Sequence, residues 1–224
     1  MTLLTALQSA SIRLMGRRPN AFASSTSKFE LELMDLANEV ATDIMKSHEW
    51  QALKRVHTIT GDGTGIAFPL PADFDRFLLD TDMIGRDDRW GQWFSKCDDI
   101  NEFTSRSTEE WETSWPGLWT VYGNQIRFVP APEDERVLSF PYITRNVVRG
   151  QSGTEKADFT NDNDEFLLSD RLLTLGLVWR WRENKKLDYT GDFEAFQKAF
   201  GEESAKDGGN AIYRSGNRRL EYWW

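Results

Sequence analysis

Apolar residues recur at helical spacing near the start of the chain. The repeat that begins at Leu3 predicts a first helix, and Gly16 is a suitable residue to end it. Ser27 followed three residues later by Glu30 is a capping-box pattern. The apolar face that follows continues without a breaker, so the pattern predicts one long second helix ending at about Lys54.

Helical spacing returns in the last third of the chain. Leu168 to Trp181 carry an apolar face wide enough to pack against other helices. Thr190 is a predicted N-cap for a further helix, and the Gly-Gly pair at 208–209 is its predicted end. Helices with one apolar face need helical partners, so the two ends of the chain are expected to pack together.

The middle of the chain has a different pattern, with short alternating stretches separated by turn residues. The GDGTG sequence at 61–65 predicts a hairpin turn between strands at 55–60 and 66–70. A second hairpin is predicted at 119–129, with Gly123-Asn124 as its turn. The other predicted elements are a short turn at 71–77, strands at 77–84, 90–99 and 137–144, and a brief helix at 99–106.

These patterns together predict an α+β chain: an antiparallel helical bundle built from the N- and C-terminal segments, with an inserted small β domain and an extended C-terminal tail. The predicted parts are N-terminal bundle helices at 1–54, the β domain at 55–149, C-terminal bundle helices at 150–206 and the tail at 207–224.

The net charge is −9, from 27 Lys and Arg against 36 Asp and Glu. A general nucleic-acid binder needs a basic face, so this charge argues against that class and against an anionic membrane surface as partner. The single cysteine cannot form an internal disulfide. We find no apolar run long enough to span a membrane and no secretory signal pattern.

Residues with chemical potential are scattered and do not form a catalytic pattern. His48 lacks the second histidine of a zinc helix, and Cys97 precedes two aspartates that disfavour a thiolate. The acidic loop at 158–166 lacks the glycine and the final acid of a calcium loop, and it is expected to favour the N-terminus of the next helix. A weak cation site at 158–165 stays an alternative. We predict no enzyme activity, no catalytic residue, no metal and no cofactor.

Tryptophan is abundant, with 10 residues. A set at positions 90, 93, 111, 115 and 119 fits either a small β core with a subunit contact or a platform for sugar rings. The second option makes a carbohydrate-binding or glycan-cleaving protein the alternative function. Basic residues alternate with tryptophan in LVWRWRENKKLDY (177–189), where a helix would direct them outward, away from Trp179 on the core face.

Several stretches resemble the head-to-tail adaptor proteins of tailed bacteriophages, which are also called tail accessory, head-completion or connector proteins. The resemblance spans residues 3 to 200 and is carried by LLTALQSASIRL, LANEVATDIMKSHEWQALKR, FPLPADFDRF, YGNQIRFVPAP, DEFLLSDRLLTLGLVWRWRENKKLDY and DFEAFQKAF.

The resemblance implies a structural virion protein at the neck, assembled in the host cytoplasm. Such adaptors form a ring, commonly a dodecamer, that binds the portal protein, extends the DNA channel and provides the attachment site for a downstream tail or nozzle protein. The implied partners are therefore the portal, other copies of the chain, the tail component and passing double-stranded DNA. An acidic channel would let that DNA slide without tight binding.

The C-terminal segment of such adaptors grips the portal. Here the last fifteen residues show no secondary-structure period but are rich in the residue types that dominate interfaces. The predicted portal-binding residues are Ile212, Tyr213, Arg214, Arg218, Arg219, Leu220, Tyr222, Trp223 and Trp224. The competing interpretation is that this tail folds back on its own helices.

Overall fold

The computed structural model describes residues 2–85, 93–108 and 117–208. Within them the chain forms two compact units. The first unit, the helical unit, contains the residues up to Leu53 together with those from Arg145 onward, and the second, the β unit, is Lys54–Thr144. The predicted α+β class is confirmed.

The helices are α1 (Leu3–Met15), α2 (Lys28–Ser47), α3 (Ile100–Thr108), α4 (Asp170–Asn184) and α5 (Thr190–Asp207). A single 3-10 turn covers Gln51–Leu53. The strands are β1 (Lys54–Thr60), β2 (Ala67–Pro69), β3 (Phe74–Phe77), β4 (Met83–Ile84), β5 (Phe94–Lys96), β6 (Gly117–Tyr122), β7 (Gln125–Val129), β8 (Val137–Thr144), β9 (Val148–Arg149), β10 (Glu155–Lys156) and β11 (Glu165–Phe166).

Helix α4 is the centre of the helical unit and packs against α1, α2 and α5. Leu172, Leu173 and Leu177 of α4 are buried, as an apolar face at helical spacing requires. Ion pairs between α4 and α5 join Arg171 to Glu202 at 2.8 Å and Arg182 to Asp192 at 2.6 Å. The first pair joins the start of α4 to the end of α5, and the second joins the end of α4 to the start of α5, so the two helices are antiparallel.

Helix α2 begins as predicted but ends at Ser47, earlier than the apolar pattern indicates. His48 takes an extended conformation, and Trp50 turns back so that its indole Nε1 donates to the Ile44 carbonyl at 2.8 Å. The predicted end at Lys54 is therefore wrong, because burial of His48 and Trp50 outweighs continued helix formation.

Ser27 is the N-cap of α2 as predicted, but the hydrogen bonds of the capping box are absent, and the predicted N-cap of α5 is wrong. The side chain of Ser27 makes no capping hydrogen bond, and the carboxylate of Glu30 instead accepts from Arg17 at 2.9 Å. Thr190 is the first residue of α5 rather than its cap, which is Tyr189. Gly16 and Gly208 do end α1 and α5, each in the left-handed conformation at φ 67° and 68°.

The β unit has a three-stranded sheet in the order β1-β8-β3 and a five-stranded sheet in the order β2-β7-β6-β5-β4. Both sheets contribute side chains to one core. Its members are Ile59, Ile84, Phe94, Trp119, Ile126, Phe128, Leu138, Phe140 and Tyr142. The β5–β6 pair is parallel, and α3 lies between these strands in the chain.

The hairpin β6–β7 is confirmed, with Gly123 at φ 62° and Asn124 at φ 59° as its turn. The hairpin predicted at GDGTG is wrong. Strand β1 pairs with β8 along its whole length and β2 pairs with β7, so the strands on either side of 61–65 belong to different sheets. Turn residues act locally and do not identify a distant strand as a pairing partner. Strand β8 is a longer partner for β1 than β2 would be.

Residues 71–84 also differ from the prediction. The expected turn at 71–77 contains strand β3, and the expected strand at 77–84 is reduced to the two residues of β4. In the helical unit, the segment 148–166 before α4 carries the small antiparallel sheet β10-β9-β11, which was not predicted. Two-residue strands have no alternation, so the sequence pattern could not identify this sheet.

Candidate functional site

The nine predicted portal-binding residues, Ile212 to Trp224, lie outside the described residues. The structure does describe the point from which this segment leaves. Helix α5 ends at Asp207, whose carboxylate accepts a hydrogen bond from the Gln51 backbone N–H at 3.0 Å. The same carboxylate lies 3.5 Å from Nε2 of His48. The root of the tail is therefore fixed to the segment that follows α2.

Aromatic side chains reinforce this root. The ring of buried Trp50 lies 4.8 Å from the ring of His48 and 5.9 Å from that of Phe200 in α5, both edge-on. Such pairs add to the stability given by burial alone. The sequence did not predict this role, because the residues concerned come from both ends of the chain.

The tryptophans of the described residues pack within their own units. Trp119 is 1% exposed and its ring lies 5.0 Å from that of Phe77. It therefore cannot belong to a sugar platform, and Trp93 is half-buried. Positions 90, 111 and 115 of the predicted platform lie outside the described residues. In the helical unit, Trp179 lies 5.0 Å from Phe193 of α5.

The basic residues of α4 are occupied within the chain. Arg180 contacts three carboxylates: Asp43 at 2.9 Å, Glu183 at 2.9 Å and Glu39 at 3.2 Å. Partial burial would lower the pKa of Arg180, but these acidic partners outweigh it and raise the pKa. Lys185 pairs with Glu32 of α2 at 2.7 Å. These cations join α2 to α4 and are not a stripe for nucleic acid.

The acidic loop at 158–166 is used for backbone hydrogen bonds rather than for a cation. The carboxylate of Asp164 accepts from the backbone N–H groups of Thr160 and Asn161 at 2.8 Å each and pairs with Lys156 at 2.7 Å. The Asp162 carboxylate accepts from Phe22 at 3.0 Å. Burial alone would raise the pKa of Asp164, but the hydrogen bond from Lys156 and those from the backbone hold it below its ordinary value.

The loop also serves a different helix from the one predicted. The carbonyl oxygens of Asp164 and Asp162 accept from the N–H groups of Leu3 and Leu4 at 2.7 and 2.9 Å. These donors begin α1 and have no partner inside that helix. The prediction that the loop favours the N-terminus of α4 missed this contact, because Asp162 and Asp164 lie far along the sequence from Leu3 and Leu4.

The remaining candidate groups have packing roles. Cys97 is buried and its thiol donates to the Asp99 carbonyl at 3.2 Å. Within residues 2–85, 93–108 and 117–208, no three or more His, Cys, Asp or Glu side chains are grouped to hold a metal ion. Across the same ranges, no helix is both long and apolar enough to cross a membrane.

Hydrogen bonds between Asp73 and the hydroxyl groups of Tyr142 and Thr144 stabilise the β unit. The Tyr142 hydroxyl donates to the Asp73 carboxylate at 3.0 Å, and the Thr144 hydroxyl donates to it at 2.8 Å. Burial and the nearby carboxylate raise the pKa of Tyr142 to about 12. Burial alone would raise the pKa of Asp73, but the hydrogen bonds from Thr144 and Tyr142 outweigh it and lower the pKa.

One surface of the β unit was not predicted from sequence. On the outer face of β1 and β8, every side chain along three consecutive cross-strand pairs is exposed and none is charged. The pairs are Val56–Pro141, Thr58–Ser139 and Thr60–Val137. The alternation of β8, with Leu138 and Phe140 buried between them, was the available signal.

Comparison with known proteins gives one family match. The family model described as SU10 adaptor protein matches residues 1–219, nearly the whole chain. A search of curated proteins finds no match.

Proposed function

This chain belongs to the SU10 adaptor protein family, a family of phage head-to-tail adaptors, and we propose that it forms a ring which binds the portal, extends the DNA channel and receives the tail. The match over residues 1–219 supports a structural role in the virion. Portal binding, ring formation, the DNA channel and tail attachment go beyond this family match and are our proposal.

In this proposal the four long helices act as one bundle made from both ends of the chain, and the β unit is an insertion between them. The supporting observation is that α4 packs against α1, α2 and α5. A bundle made of helices from both ends of the chain fixes the position from which the C-terminal segment begins. This suits a subunit whose C-terminal segment must reach a neighbouring ring.

The C-terminal segment, 210–224, is the proposed portal contact. Its root at Asp207 is anchored by a hydrogen bond from Gln51, and His48 lies beside the same carboxylate. Well-buried Trp, Tyr and Arg side chains each contribute about 2 kcal/mol or more at interfaces. Ordering a segment costs about 1–2 kcal/mol per residue. Several anchors per tail, repeated around a ring, offset that cost through effective concentration.

Deletion of residues 210–224 tests the contact. We expect the shortened chain to lose capture by immobilised portal protein while its melting temperature stays unchanged, because in this proposal the segment contacts the portal and not its own helices. A large fall in melting temperature would instead mean that the tail folds on its own helices. A matched control replaces only Arg214, Arg218 and Arg219 by Gln, which keeps the aromatic anchors and measures the electrostatic share.

The proposed channel conducts DNA without retaining it. Residues 54–144 hold 16 Asp and Glu against 9 Lys and Arg, so the β unit carries most of the excess negative charge. A lumen of this sign repels phosphate, and repulsion weakens as salt screens it. We expect assembled rings to show no duplex binding at physiological salt; tight binding there would contradict this part of the proposal.

A further inference from the structure

The outer face of β1 and β8 is unusual for this chain. Charged residues make up 28% of the sequence, yet six neighbouring exposed positions on this face carry none. Val56 is 69% exposed and Val137 is 56% exposed. Interface cores are depleted in charge relative to the rest of a protein surface. The face therefore has the composition of a surface that becomes covered.

Strand β1 adds a second feature. It is seven residues long and pairs only with β8 among the described strands, so it is an edge of its sheet. Proteins usually protect long edges with charges, prolines or bulges, because an open edge recruits another strand. The outward-facing side chains of β1 after Lys54, namely Val56, Thr58 and Thr60, provide no such charge.

We propose that this face, defined by Val56, Thr58, Thr60, Val137, Ser139 and Pro141, is a contact between two copies of this chain. The inference rests on the proposed function in that a ring is built from copies of one chain. The argument for a copy, and not another protein, comes from charge. The β unit has an excess of Asp and Glu over Lys and Arg, so two copies carry net charge of the same sign and repel each other.

A basic partner would gain most by binding where the carboxylates are, whereas a like-charged copy needs a surface without them.

The size of the face limits the strength of the contact. The face has six exposed side chains, against the roughly 20–30 residues per partner of a standard interface. Free copies should therefore associate weakly, and the contact should become stable when many copies are held side by side.

Sedimentation velocity on the full-length chain, from micromolar to about 1 mM protein, measures the association. We expect weak association that strengthens when NaCl is raised from about 0.1 to 1 M, because the Debye length falls from ~10 to ~3 Å and the repulsion between acidic copies is screened. The double variant Val56→Lys/Val137→Lys should associate about a hundredfold more weakly, since it buries unpaired charges.

The matched control is Ile66→Lys/Met83→Lys, which adds the same charge to the same unit at positions that are 41% and 46% exposed. It should associate like the parent chain. Melting temperatures should agree among all three proteins, because every substituted side chain is exposed. A parent chain that stays monomeric to about 1 mM, association that salt weakens, or an equal effect of both double variants would each overturn the proposal.

Portal capture separates this inference from the proposed function. If the parent chain binds portal but its self-association does not respond to the Val56/Val137 substitutions, the face is wrong and the adaptor role stands. If the parent chain self-associates through this face but ignores portal, the contact stands and the proposed function fails.

Discussion

Gly176 of α4 allows α2 and α4 to approach closely, and its replacement by alanine measures how tightly they pack. A Cβ at this position would lie well inside 3.0 Å of Cγ1 of Val40, and also 3.5 Å from the ring of Phe196. Overpacking a core by one methyl group costs about 1–3 kcal/mol. Val40 cannot easily turn away, because a β-branched residue in a helix has one preferred rotamer.

Alanine also favours the helix over glycine by about 1 kcal/mol, which opposes the clash. Since the overlap with Val40 is severe, we expect the clash to exceed this gain and Gly176→Ala to destabilise the helical unit by about 1–2 kcal/mol. Urea unfolding followed by circular dichroism at 222 nm measures the change in the free energy of unfolding. The two units need not unfold together, so the helical transition is analysed by itself.

Gly201 of α5 is the matched control. A Cβ there would have no neighbour within 4 Å, so Gly201→Ala should stabilise the unit by about 0.5–1 kcal/mol through helix propensity alone. The reasoning would be refuted if Gly176→Ala proved as stable as Gly201→Ala. A double-mutant cycle with Val40→Ala identifies the contact directly, because the new methyl group should then fill the space that Val40 leaves, with a coupling of about 1 kcal/mol or more.

Two further predictions concern hydrogen-bonded ionisable groups. Asp164→Asn should cost about 1–3 kcal/mol near neutral pH because Lys156 and two backbone donors lose a buried carboxylate. Since the pKa of Asp164 is lowered in the folded state, this stabilisation exists above the ordinary aspartate pKa and disappears as pH falls through the folded value, so urea unfolding of the two proteins should converge in acid. Tyr142→Phe should cost about 1–2 kcal/mol by removing the hydrogen bond to Asp73. Because the pKa of Tyr142 is raised to about 12, the parent chain should lose stability between the unfolded value near 10 and pH 12, and the phenylalanine variant should lack that loss; equal alkaline profiles would contradict the assignment.

The sequence predicted the elements whose signals are local. Gly16 ends α1, Gly123-Asn124 turns the β6–β7 hairpin, and the alternation of 137–144 gives β8. In each case a few adjacent residues are enough, because backbone preference and side-chain period act over one turn or one strand. The aromatic and arginine content of the tail was visible in the same way, but the prediction that it binds the portal remains untested.

The sequence did not predict where distant segments meet. The capping box at Ser27 looked complete, yet Glu30 was taken by Arg17 across a loop. The GDGTG turn looked like a hairpin, yet β1 paired with β8, some eighty residues further along. In each case a local preference worth about 1 kcal/mol was outweighed by burial or by a longer ladder of hydrogen bonds.

By itself, the sequence determined the α+β class, the order of helical and β segments and the acidic charge, because these depend on composition and on short-range periodicity. It also determined the family, through the similarity of whole stretches of the chain to other members. The tertiary structure alone decided that the acidic loop supports α1, that Asp207 is held by Gln51, and that β1 and β8 share an uncharged outer face. Such contacts join residues far apart in the chain, and their energies appear only once the apolar core has brought the segments together.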